Sequence, residues 1–157
     1  MVEEAATDVI ALAQARGEAE PWKQSSFIDT VAELQSRRLA RAATIPDKIQ
    51  FHDRSLICTA ALASYLGYRT PEALSREVDG LRKQAIFEKV VFFIRNLGFI
   101  TATGARRINF DEALRFERIH EETYRDYGFE IVFVEPAGVS ERAAFIQKMV
   151  SEPENLA

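Results

Sequence analysis

The chain is poor in the residues that thiol and metal chemistry need. It has one cysteine, Cys58, and two histidines, His52 and His120. A lone cysteine makes no internal disulfide, which fits a reduced compartment. The histidines stand far apart, and no Cys/His spacing matches a zinc site. Cys58 sits among small apolar residues and reads as a buried structural thiol, not a nucleophile. The seven glycines are dispersed as caps and turns. Neither G-x-x-x-x-G-K-[ST] nor G-x-G-x-x-G occurs, so the sequence carries no glycine cradle for a β-phosphate. No apolar run approaches the roughly 20 residues of a membrane span. Met1-Val2-Glu3-Glu4 lacks the basic and apolar regions of a signal peptide, so a cytoplasmic protein is expected. A net charge of −4 argues against duplex nucleic acid as the main partner.

What is present is ordinary globular material. The 157 residues are 47% hydrophobic and 28% charged. Chains of roughly 150 residues bury about 70% of their unfolded surface, enough for one sizeable core. The expected organisation is a single domain over residues 1–150 with a tail at 151–157.

Periodicity then divides the chain. "VEEAATDVIALAQARG" reads as a short extended start followed by a helix. Ala5, Val9, Leu12 and Ala13 face inward, and Gly17 ends the helix. Ser26 and Asp29 form a capping pair for a second helix reaching about Ala43, with Phe27, Val31 and Leu34 inward. Its last turns hold Arg37, Arg38 and Arg41, where cations suit the helix dipole or face a phosphate. Residues 49–52 read as a short strand. An Ala-rich helix over residues 56–66 ends at Gly67. Thr70 caps the next helix, with Pro71 in its first turn. "KVVFFI" is apolar without alternation, the pattern of a strand covered on both faces. Asn109 and Glu112 cap a long helix ending at Gly128. A strand over residues 129–135 and a helix from Val139 follow, and His120 lies mid-helix on a solvated or half-buried face.

Strands separated by helices predict βαβ units with right-handed crossovers, an α/β sandwich with helices on both sheet faces. Ligands in such folds sit beyond the carboxyl ends of the strands. Those ends carry Glu3-Glu4, His52-Asp53-Arg54, Arg95-Asn96 and Glu135. Asp53 can hold Mg²⁺, which takes one or two protein carboxylates and fills its shell with water and phosphate oxygens. It can equally cap the following helix. Arg106 and Arg107 precede a capped helix, and their guanidinium groups suit transient clamping of a phosphoryl group or plain solvation.

The order of "VEEAATDVI", "FHDRSLICTAALASYLG", "VVFFIRNLGF" and "ARRINFDEALRFERIHEETYRDYGFEIVFVEPAGVSERAAFI" resembles the small bacterial AAA-type P-loop ATPases. These are relatives of the nicotinamide-riboside kinase domain of bacterial NAD regulators. The resemblance spans residues 2–150 and rests on order and spacing. It implies a P-loop NTPase-like parallel sheet, ATP and Mg²⁺ as cofactors, and in-line phosphoryl transfer to a small molecule. Glu4 matches an acid near the substrate, a base or orienting group. Thr7 stands where the family often has Arg. Asp53 and Arg54 match the strand-end pair, with Asp53 organising Mg²⁺ and Arg54 facing phosphate or substrate. Arg106 and Arg107 match the lid over the phosphates.

The resemblance also implies a first strand, a Walker A loop and a first helix ahead of Val2. The chain therefore looks like such a domain short of roughly 25 to 35 residues. The missing strand would lie between the strands at Ile49 and Val90, so local collapse, closure of the gap or self-association through unpaired strands is expected. Three readings stand: an ATPase or kinase incomplete as written, a non-catalytic binding or regulatory module on the same fold, and a hydrolase acting through Glu4, Asp53 and Glu135.

Overall fold

The computed structural model describes residues 1–46, 49–99 and 108–152. Its contacts divide the chain into two compact units, Met1–Gln84 and Ala85–Ala157. Among the described residues there are six α-helices and one two-stranded parallel sheet, a mixed α/β protein as expected. Arg106 and Arg107 lie outside the described residues.

The first unit is helical. It holds α1 (Ala6–Ala15), a 3₁₀ turn (Pro21–Lys23), α2 (Ser26–Ala42), α3 (Leu56–Tyr65) and α4 (Glu72–Lys83). α3 is its centre and packs on α2 and α4. Leu56, Ile57, Cys58, Ala60, Ala61 and Ala63 are all buried. A helix apolar on every side is a core helix, and its alanines let neighbours approach closely. Ile28 of α2 and Leu74 and Val78 of α4 are fully buried as well. Cys58 is buried and free, the structural thiol expected.

Local details differ from the sequence expectation where tertiary contacts compete. The buried face of α1 is Ala5, Val9 and Ile10, while Leu12 is exposed. α2 begins after Ser25 with no side-chain cap, so Ser26 and Asp29 do not form the expected pair. Pro71, not Thr70, occupies the cap position of α4. The strand expected over residues 49–52 is a single parallel bridge, Val2 to His52. After Val2 the partner segment turns into α1, so no longer ladder forms.

The second unit is a βαβ arrangement: β1 (Val90–Ile94), α5 (Phe110–Asp126), β2 (Glu130–Val134), then α6 (Val139–Ser151). β1 and β2 pair in parallel from Val90↔Glu130 to Ile94↔Val134. Phe93 and Phe133 oppose each other in that register and meet edge to face, centroids 5.9 Å apart, a favoured aromatic geometry. α5 and α6 both pack on β2. Coverage of β1 is less than expected, since Phe93 is buried but Ile94 is exposed, and among the described residues β1 pairs with β2 alone. His120 is buried, against the expected solvated or half-buried face. Its Nδ1 donates to the Phe116 carbonyl at 2.9 Å, and its ring meets the Phe116 ring.

α5 starts with the expected capping box. Asn109 Oδ1 accepts from the Glu112 amide at 2.9 Å, and Glu112 Oε2 accepts from the Asn109 amide at 2.7 Å. Gly128 ends the segment with φ +77°, a conformation that disfavours any side chain. Replacing Asn109 with Ala should cost about 1 kcal/mol, read as a lower urea midpoint with an unchanged slope.

Candidate functional site

The end of the bridge segment gathers the expected residues of the first unit. The Val2 amide donates to the Phe51 carbonyl and the Asp53 amide donates to the Val2 carbonyl, both at 2.7 Å. These bonds seat Glu4 beside residues 53–54. Glu4 Oε2 lies 3.9 Å from Arg54 Nε, with the two side chains 31% and 45% exposed. Such a loose, wet pair contributes little, about 0–1 kcal/mol. Its role is placement.

Each member has a distinct local setting. Asp53 is exposed, and its carboxylate has no side-chain partner among the described residues. It does not cap α3. Ser55 does, its hydroxyl accepting from the Ile57 amide at 3.2 Å. That leaves the Asp53 oxygens available as hard ligands. Glu4 is partly committed: its Oε1 accepts from the Thr7 amide at 3.2 Å and from the Thr7 hydroxyl. It thereby caps α1, which has no cap from Ala5. Thr7 is thus tied to the acid beside it. Burial, then the positive chain terminus, lowers the His52 pKa from its ordinary value.

Arg54 has φ +72°, in the left-handed region. A non-glycine residue there costs of order 1–2 kcal/mol. The turn lies between the Val2–His52 bridge and the extended Ser55 that caps α3, and it leaves the guanidinium near Glu4.

In the second unit the strand ends are spent internally. Arg95 Nη1 donates to Glu117 at 2.8 Å and Glu121 at 3.4 Å, and Asn96 Nδ2 donates to Glu117 at 2.8 Å. The Arg95 guanidinium also lies 4.1 Å from the Phe133 ring centre. The hydrogen bond to Glu117, opposed by burial and assisted by Glu121 and Glu135, raises Arg95 further above its ordinary value. Burial pushes Glu117 up, but the bonds from Asn96 and Arg95 outweigh it and hold the carboxyl below 4.5. Glu135 follows β2 and is exposed. No group of three or more His, Cys, Asp or Glu residues gathers as a metal cluster among the described residues.

Two contributors were not assigned to this site from the sequence. Ser55 had a usable signal, since Ser directly before an apolar helix is a favoured cap. Arg38 was expected to serve the helix dipole or face a phosphate, whereas it binds the carbonyls of Glu3 and Glu4 and the Asp8 carboxylate, far away in the chain.

A family model described as AAA domain matches residues 1–142. The chain belongs to this family. An AAA domain of this type is a P-loop, nucleotide-binding domain. No curated protein and no solved structure matches the chain. No helix of this AAA domain is long and apolar enough to cross a membrane, among the described residues.

Two variants test these settings. Arg54→Gly should be more stable than Arg54→Ala by about 1 kcal/mol, because both lose the guanidinium and glycine alone accepts the left-handed turn; equal melting temperatures would contradict the strain. Glu117 bears on pH. A carboxyl held below its unfolded value stabilises the fold above about pH 4.5 and loses that contribution as pH falls through the folded value. Glu117→Gln should therefore cost about 1–3 kcal/mol at pH 7. Its deficit against the parent should shrink as urea titrations move below pH 4.5.

Proposed function

We propose that this AAA domain binds Mg²⁺-ATP and serves an ATPase or small-molecule kinase, with Asp53 and Arg54 on the metal and phosphate side of the site. The observation that carries this reading is the strand end itself. The Val2 bridge presents an uncommitted carboxylate and a half-exposed guanidinium side by side. One accessible carboxylate fits Mg²⁺, which leaves most of its shell to water and phosphate oxygens. Asp53 would hold the ion, directly or through water, and the bound ion would neutralise phosphate charge. Arg54 would face the phosphate or the substrate, steadied by Glu4. Arg106 and Arg107 are proposed as the cations that close over the phosphates, in keeping with arginine's fit to phosphate oxygens. A cytoplasmic location belongs to the same proposal, supported by the lone cysteine.

A second reading is a non-catalytic binding or regulatory module. The exposed Asp53 and half-exposed Arg54 would serve ligand binding without turnover equally well.

Calorimetric titration of the chain with ATP, with and without Mg²⁺, tests the proposal. Mg²⁺-dependent binding is expected, and Asp53→Ala should weaken it about tenfold or more, ~1.4 kcal/mol. Absence of Mg²⁺-dependent binding in the parent would overturn it. Binding without ATP turnover would select the regulatory module over the enzyme.

A further inference from the structure

We propose that Arg38 is the positioning residue of this site, fixing the segment that carries Glu4 against the one that carries Asp53 and Arg54. It lies in α2 with its side chain only 21% exposed. Its Nη1 donates to the Glu4 carbonyl and, at 3.2 Å, to the Glu3 carbonyl, while Nη2 pairs with the Asp8 carboxylate. One guanidinium thus joins α2, the extended start of the chain and the first turn of α1. The neighbouring Arg37 shows the contrast: it pairs with Glu33 on its own helix, both side chains about two-thirds exposed at 68% and 67%.

The three acceptors explain why arginine suits this position. The guanidinium is planar, permanently charged and forked, so it serves two carbonyls and a carboxylate at once. An ammonium offers a single point of charge. Hydrogen bonds to a charged donor contribute more than neutral ones.

The geometry then passes from Arg38 to the site through covalent neighbours. Val2 exchanges backbone hydrogen bonds with Phe51 and Asp53, and Glu4 reaches Arg54 and caps α1 through Thr7. Glu3 lies between them. Holding the carbonyls of Glu3 and Glu4 therefore fixes the bridge on one side and the acid on the other. Arg38 acts through Glu4 and Val2, its polar partners being Glu3, Glu4 and Asp8. Its effect on nucleotide binding rests on the function proposed above, whereas its effect on the bridge does not.

Amide hydrogen exchange and calorimetry on Arg38→Gln and Arg38→Lys, beside the parent, test this. The Asp53 amide should exchange about tenfold faster or more in Arg38→Gln, while the amides of Leu74 and Val78 in α4 keep their protection. Arg38→Lys should restore little of the lost protection, since it keeps the charge but loses the fork. Mg²⁺-ATP affinity should fall in parallel with bridge protection, and millimolar guanidinium ion should partly recover both in Arg38→Ala. Unchanged Asp53 exchange in Arg38→Gln would overturn the proposal. So would equal loss of protection in α4, which would make Arg38 a general stabiliser of the fold. If the parent chain binds no Mg²⁺-ATP, the functional reading fails, and the exchange arm still decides the role of Arg38.

Discussion

The bridge between Val2 and residues 51–53 is the contact on which the candidate site depends. Two backbone hydrogen bonds of 2.7 Å join the start of the chain to the segment before α3. Without them Glu4 and Arg54 would be related by a single wet ion pair at 3.9 Å. An ion pair that exposed does not order two segments. The bridge in turn rests on a rigid neighbour. α3 is buried on nearly all sides, and Ser55 caps it directly after the left-handed turn at Arg54. A well-packed helix can carry such strain because its core contacts over-determine the turn.

The two units treat their strand ends differently, and that difference separates a candidate site from a structural joint. Arg95 and Asn96 follow β1 as Asp53 and Arg54 follow the bridge. Yet Arg95 and Asn96 turn onto Glu117 and Glu121 of α5, whose side chains are 14% and 16% exposed. Their polar groups are engaged in holding helix to sheet. Asp53 keeps its oxygens in solvent. A group can bind a ligand only with capacity that the fold leaves unused, so the first unit carries the functional argument.

Membership of the AAA domain family gives that open carboxylate a context, a nucleotide-binding P-loop domain. The family match concerns the chain as a whole. The local geometry adds which residues converge: Glu4, Asp53 and Arg54 do, with Thr7 and Arg38 supporting Glu4 from either side.

The sequence by itself determined whatever is decided within a few residues. Asn109 and Glu112 form their box, and Gly17, Gly67 and Gly128 end helical segments at positive φ. Local hydrogen bonds and backbone sterics suffice for these. The Asp53-Arg54 pair was named from its place after an expected strand, which the structure reduces to one bridge. Only the tertiary structure decided that the expected strand at Ile49 is a single bridge, that Leu12 faces solvent and that His120 is buried. It alone turned Glu4 into a cap for α1 and Arg38 into its anchor. Those outcomes depend on which distant backbone groups lack a partner, and no local pattern encodes that.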